Sequence, residues 1–147
     1  LRPGTENVSG IHGMSIALNK STKELPSWIE TVNEYENIFI NELSNSKIKF
    51  IINGKNRLPG IINITFIDIL SADLVMALDM HGYAISGGSA CSSGSANPST
   101  TLKEIGMDNE KASKTVRISF GKNLTLQNIK GLSKTISEII NPQTEIL

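Results

Sequence analysis

Thr115-Val116-Arg117-Ile118-Ser119-Phe120 alternates apolar and polar residues without a break. A period of two puts Val116, Ile118 and Phe120 on one face of a strand, and Thr115, Arg117 and Ser119 on the other. Shortly after it, Thr125 opens a pattern with Leu126, Ile129, Leu132, Ile136 and Ile139 on one helical face, which predicts a capped helix. A strand buried on one side and a helix with one apolar stripe need each other as cover, so a sheet backed by helices is the expected core.

Working outward, Ile62, Ile64 and Phe66 alternate with Ile61, Asn63 and Thr65 and predict a second strand. Lys47 to Ile52 predicts a third, Gly54 to Pro59 a polar turn, and Tyr83 to Ser86 a short fourth strand. Val8, Ile11, Met14 or Ser15, and Leu18 share a helical face. Pro26 and Ser27, with Glu30 three residues after the serine, predict the start of a separate helix carrying Trp28, Val32, Tyr35, Phe39 and Leu43. Ser71 is expected to cap a helix with Leu74, Val75 and Leu78 that stops before Gly82. Asn97-Pro98 or Ser99 begins a short helix ending at Gly106. Several connections are too short for crossovers. The expected class is therefore α+β (mixed α/β), a short and mostly antiparallel sheet packed with helices.

Composition narrows the function classes. The 147 residues are 39% hydrophobic and 19% charged, enough apolar material for one ordinary core. Fourteen Lys plus Arg balance fourteen Asp plus Glu. A neutral chain gains little from counterion release, so neither nucleic acid nor an anionic membrane is an expected partner. The apolar runs are far shorter than the roughly 20 residues that span a bilayer. Cys91 is the single cysteine, which excludes an intrachain disulfide and a cysteine cage for a metal. No internal repeat is present. The start, Leu1-Arg2-Pro3-Gly4-Thr5, lacks Met and a signal peptide, and reads as a piece cut from a longer chain of a reducing, cytoplasmic compartment.

Three places carry candidate chemistry. From Ile85 to Thr101 the chain holds no charge and is dominated by Gly, Ser and Ala around Cys91. A free thiol is commonly a small buried hydrophobe. Here the neighbours bring no apolar anchor, so an exposed loop over about 86–97 is expected, suited to a sulfur that must move between two sites. Arg117 is read first as the solvated face of a strand; the functional alternative is a two-pronged clamp on a carboxylate. Thr5, in Arg2-Pro3-Gly4-Thr5-Glu6-Asn7, precedes a helix where a hydroxyl and amides can meet a phosphate, although taken by itself the cluster reads first as an ordinary turn and N-cap. His12 and His81 have no partner at metal-ligand spacing, and no metal site is expected. There is no P-loop, no Gly-x-Gly-x-x-Gly after a strand and no Gly-x-Ser-x-Gly elbow.

Taken in order, Arg-x-Gly-Thr-Glu-Asn, Ser-Gly-Gly-Ser-Ala-Cys-Ser-Ser-Gly-Ser with Pro98-Ser99, and Val-Arg-Ile-Ser-Phe-Gly resemble the C-terminal part of cysteine desulfurases of the NifS/IscS type. These are pyridoxal-phosphate enzymes of the class V aminotransferase group. The resemblance runs from Arg2 to about Ile140, and the long Ser/Gly stretch is like the first desulfurase group rather than the selenocysteine-lyase-like one. It implies the small C-terminal domain of a fold-type I enzyme, with residues 1–24 ending the large cofactor domain and its connecting helix, and 25–147 forming the small domain. It implies that Cys91 takes sulfur from L-cysteine as a persulfide while L-alanine leaves. Arg117 would pair with the substrate carboxylate, and Thr5 would reach the cofactor phosphate of the other subunit in a homodimer. The sulfur would pass to an acceptor scaffold or relay protein, for iron–sulfur cluster assembly or tRNA thiolation. The Schiff-base lysine, normally after a Ser-x-His pattern, is absent, as are the stacking His and the pyridine-contacting Asp. This piece alone is therefore expected to be inactive. Gly88 stands where the family often has Ser. A non-catalytic persulfide relay or docking module, and a class V relative acting on another amino acid, are the alternative readings.

Overall fold

The alternating strands pair as expected. A computed structural model describes residues 4–87 and 99–142. Along the chain lie α1 (Val8–Asn45), β1 (Phe50–Asn53), β2 (Ile61–Phe66), α2 (Ser71–Met80), β3 (Ser86–Gly87), α3 (Thr100–Glu104), α4 (Asn109–Ser113), β4 (Thr115–Ser119) and α5 (Leu126–Ile140). The four strands form one sheet in the order β1-β2-β4-β3, antiparallel throughout. The α+β expectation is thus what the chain folds into.

Ile62, Ile64 and Phe66 of β2 and Val116 and Ile118 of β4 face inward and are buried. Phe39 and Leu43 of α1, Leu74 and Leu78 of α2, and Ile129, Leu132 and Ile136 of α5 join them in one core. Phe120 links the layers, its ring edge-on to Tyr35 and Phe39 at centroid separations of 6.4 and 5.9 Å. The Tyr35 hydroxyl donates to the carbonyl of Leu124 at 2.7 Å, tying α1 to the turn before α5. Gly60 enters β2 with φ +80°, and a Cβ there would meet Val32 at 3.0 Å. Only glycine allows both the backbone and the approach of α1.

Three local expectations are corrected. Pro26 does not open a new helix: α1 runs unbroken for 38 residues with Pro26 inside it. Proline removes one backbone bond, but its fixed φ is helical and the neighbouring turns keep theirs. Ser27 does not cap Glu30; its hydroxyl donates backward to the Glu24 carbonyl at 2.9 Å. Ser71 is the first residue of α2 rather than its cap, a place held by the extended Leu70 without a side-chain bond. Helix α4 escaped sequence reading because five residues cannot show a period, although Asp108 caps it by accepting from the Lys111 N–H at 2.8 Å. At α5 the expected Thr125 cap is present, as a reciprocal box with Asn128.

Helix α1 has two unequal halves. Every residue from Gly4 to Lys23 is exposed, whereas Val32, Tyr35, Phe39 and Leu43 are buried. The helix therefore stands out from the body as an arm. No helix among the described residues is long and apolar enough to cross a membrane.

Candidate functional site

The outward face of the sheet positions Arg117. Its side chain is exposed on β4, between buried Val116 and Ile118. Opposite it stand Asn63 on β2 and Ser86 on β3, and opposite Asn63 stands Asn53 on β1. Asn53, Asn63, Arg117 and Ser86 thus form one row across all four strands. Among the described residues, no carboxylate forms an ion pair with Arg117. A guanidinium in that setting is available to a ligand carboxylate or phosphate.

One step along the strands the face closes. Thr65 and Thr115 are directly opposite and fully buried, their hydroxyl oxygens 2.7 Å apart. Thr115 also contacts the Lys111 carbonyl at 2.7 Å and Met107 Sδ at 3.6 Å, so α4 and the turn before it roof this end. Asn53 donates through Nδ2 to Asn63 Oδ1 at 2.8 Å and to Thr65 Oγ1 at 2.9 Å. The polar row is therefore bonded to the roofed end and open at Arg117.

The sequence-predicted residues separate into three places. Arg117 lies in the row just described. Thr5 is exposed ahead of α1, at the tip of the arm. Among the described residues, the outermost hydrogen bond from the arm to the body is that of Glu24, which accepts from Lys122 Nζ at 2.5 Å. At 1.5 Å per residue, Val8 is roughly 24 Å beyond it, so Thr5 and Arg117 are not brought together within one chain. Cys91 and most of the small-residue stretch fall at 88–98, outside the described residues, as does Pro98. Ser99 is described: it caps α3 by accepting from the Leu102 N–H. The row partners of Arg117 were missed in sequence, because pairing register between distant strands leaves no local signal; the visible hint was Asn63 in an expected strand that disfavours Asn, while Asn53 lay just past the strand expected to end at Ile52.

A second concavity, of about 350 Å³, lies between α1 and the turn from β1 to β2. Its lining includes Arg57, already paired to Glu36, and none of the sequence-predicted residues. No cluster of three or more metal-ligating side chains occurs among the described residues.

Comparison with known proteins adds the following. The aminotransferase class-V family matches residues 1–132. A cysteine desulfurase IscS of Dictyoglomus turgidum is 35% identical over 141 residues, covering 95% of this chain and 36% of the relative. One from Clostridium botulinum is 32% identical over 149 residues, covering 99% and 38%. A solved NifS-like protein superposes with a TM-score of 0.75 at 26% identity, over 95% of this chain and 35% of the other. The chain spans little more than a third of the length of these proteins.

Proposed function

The chain belongs to the class V aminotransferase family, and from that premise we propose that it is the C-terminal part of a cytoplasmic cysteine desulfurase, the part that grips the substrate carboxylate and accepts its sulfur. Arg117 binds the carboxylate of L-cysteine, and Cys91 accepts the sulfur. Residues 25–147 make the small domain. Residues 1–24 reach into the larger domain of the parent, a homodimer in which Thr5 serves the neighbouring site.

One observation carries this reading. Ser86, at the start of the strand that leads into the cysteine stretch, pairs directly with Arg117. Cys91 follows Ser86 by five positions. A carboxylate clamp beside the strand from which the chain continues toward the cysteine suits a small amino acid held by one end and attacked at the other. A described residue also fits the cofactor in one respect only. Thr5 offers an exposed hydroxyl, while the first helical N–H groups beside it are partly occupied, Gly10 donating to Asn7 Oδ1 at 3.1 Å. That fits a single phosphate contact, not a complete site. Pyridoxal phosphate, when bound to the parent, supplies the electron sink.

The chemistry asked of this chain is then limited. Arg117 fixes the substrate by two parallel N–H···O bonds. The Cys91 thiolate attacks the substrate sulfur; a new S–S bond forms as the carbon–sulfur bond breaks, its electron pair stays on the carbon skeleton, and protonation there gives alanine. The persulfide on Cys91 is the product handed to a sulfur-acceptor protein. The test is Cys91→Ser in the full-length holoenzyme with L-cysteine. Loss of alanine formation, with substrate still bound and no persulfide at position 91 by mass spectrometry, is the expected result. Normal alanine production by this variant overturns the assignment and leaves a class V enzyme in which the cysteine is incidental. A persulfide on Cys91 of the parent without alanine release points instead to a relay module.

A further inference from the structure

We propose that Asn63 is a second ligand of the substrate carboxylate, its amide held donor-outward beside Arg117 by a directed chain of hydrogen bonds from the Lys111 carbonyl through Thr115, Thr65 and Asn53. The inference rests on the reading of Arg117 given above and goes beyond it.

The direction of the chain follows from proton counting. A backbone carbonyl only accepts, so the Thr115 hydroxyl donates to the Lys111 carbonyl at 2.7 Å. Thr115 has no second proton, so its 2.7 Å contact with Thr65 uses the Thr65 proton. Thr65 Oγ1 then accepts from Asn53, which requires the Asn53 amide nitrogen at that position, 2.9 Å away. The second hydrogen of the same nitrogen goes to Asn63 at 2.8 Å, which requires the Asn63 oxygen there. Each amide orientation is thereby set by a group that cannot be turned round, and neither rests on a choice between similar atoms. Asn63 keeps its oxygen on the Asn53 side and its NH2 for another acceptor.

The register completes the argument. Asn63 is directly opposite Arg117, and opposed residues hold their Cβ atoms about 5 Å apart. One carboxylate can accept from both at once. Had the amide been reversed, an acceptor oxygen rather than an NH2 donor would be left on the Arg117 side, and the two residues would no longer favour the same carboxylate. Asn is a poor strand former, so two of them facing each other across β1 and β2 add little to the sheet for its own sake. Asn63 touches the substrate in this account; Asn53, Thr65 and Thr115 are positioning residues.

The experiment uses the full-length holoenzyme and two probes, L-cysteine and cysteamine, which has the same amine and thiol but no carboxylate. Asn63→Asp keeps the shape, leaves one oxygen to accept from Asn53 and places a negative oxygen against Arg117. Expected is cysteine binding weaker by about tenfold or more, cysteamine binding unchanged, and a thermal midpoint equal to or above that of the parent. Asn63→Ala removes the donor without adding charge and weakens cysteine alone by roughly threefold to tenfold. Asn53→Asp can no longer donate, so Asn63 turns its NH2 toward it and the same carboxylate-specific loss follows with positions 63 and 117 untouched. Cysteine binding at the parent level in both Asn63 variants, or equal losses for cysteine and cysteamine, overturns the proposal. Arg117→Ala separates the two layers of argument. If it loses cysteine selectively while the Asn63 variants do not, only the role of Asn63 fails. If it too leaves cysteine binding intact, the clamp itself is wrong.

Discussion

The two halves of α1 carry the same pattern and meet opposite fates. Ile11, Leu18, Leu25, Val32 and Phe39 recur at intervals of seven residues, and with Met14 and Leu43 they lie in a stripe about 80° wide on one helix. Beyond Trp28 the stripe is covered by the sheet and α5, and Phe39 and Leu43 are fully buried. Before it, Met14 is 68% exposed and Leu18 66%. Periodicity states which side of a helix is apolar; it does not state whether anything covers that side. Monomeric proteins rarely leave so long an apolar stripe in water. Its bareness agrees with a chain that spans little more than a third of its relatives.

The largest expected effect tests that contrast directly. Phe39→Ala should cost this domain about 3–5 kcal/mol, because a buried ring leaves a cavity between α1 and Phe120. That is a large share of the usual stability of a domain, about 5–15 kcal/mol. Leu18→Ala, on the same stripe, should change it by less than about 0.5 kcal/mol. Denaturant midpoints of the two variants measure both. In the longer parent the two substitutions should converge, with Leu18→Ala rising to about 2 kcal/mol or more once the arm is covered. Equal costs in the isolated 147 residues would mean that the arm folds back on the body.

How much of this was legible follows from the same contrast. Val116, Ile118 and Phe120, or Ile62, Ile64 and Phe66, announce their own buried face because the strand period is local. Thr125 is legible for the same kind of reason, a cap written within a few residues. The break expected at Pro26 was wrong because proline signals the loss of one bond, whereas continuity is decided by the turns on both sides. Arg117 could be named but its setting could not: the row through Asn53, Asn63 and Ser86 depends on which strands pair and in what register. Asn63 in particular reads as a polar filler until Asn53 is set against it. For Cys91 the sequence carries the whole argument, since residues 88–98 lie outside the described structure.

An intermediate effect is expected at the junction of the halves. Pro26→Ala restores an N–H donor toward the Thr22 carbonyl, and alanine is intrinsically better than proline in a helix by about 3 kcal/mol. The packed half has its own cover, so the gain should appear in the arm. Amide exchange across residues 10–25 should slow by about tenfold or more, while that of 32–43 stays the same. Unchanged exchange in the arm would show that the helix does not propagate through Pro26 in solution, restoring the boundary first expected there.

The smallest effect concerns where the bare half begins. Among the described residues, Glu24 is the first of α1 to hydrogen-bond to the body: its carboxylate accepts from Lys122 Nζ at 2.5 Å, with Lys20 Nζ 3.8 Å away. The hydrogen bond from Lys122 holds its pKa below the ordinary 4.5; slight burial opposes this, and the charges of Lys122 and Lys20 add to the lowering. A carboxyl whose folded pKa is depressed contributes its stability above the unfolded value and loses it as the pH falls through the folded one. The contribution should therefore be level from neutral pH down to about 4.5 and decline below it. Glu24→Gln has no such group, so the gap between parent and variant should shrink on acidification and also in high salt, where an exposed pair is screened. Denaturation midpoints over a pH series measure the gap. Curves that run parallel through the acid range would mean that Lys122 does not hold Glu24 in solution, and the arm would then be free of the body up to Trp28, the next residue on the stripe to pack against the core.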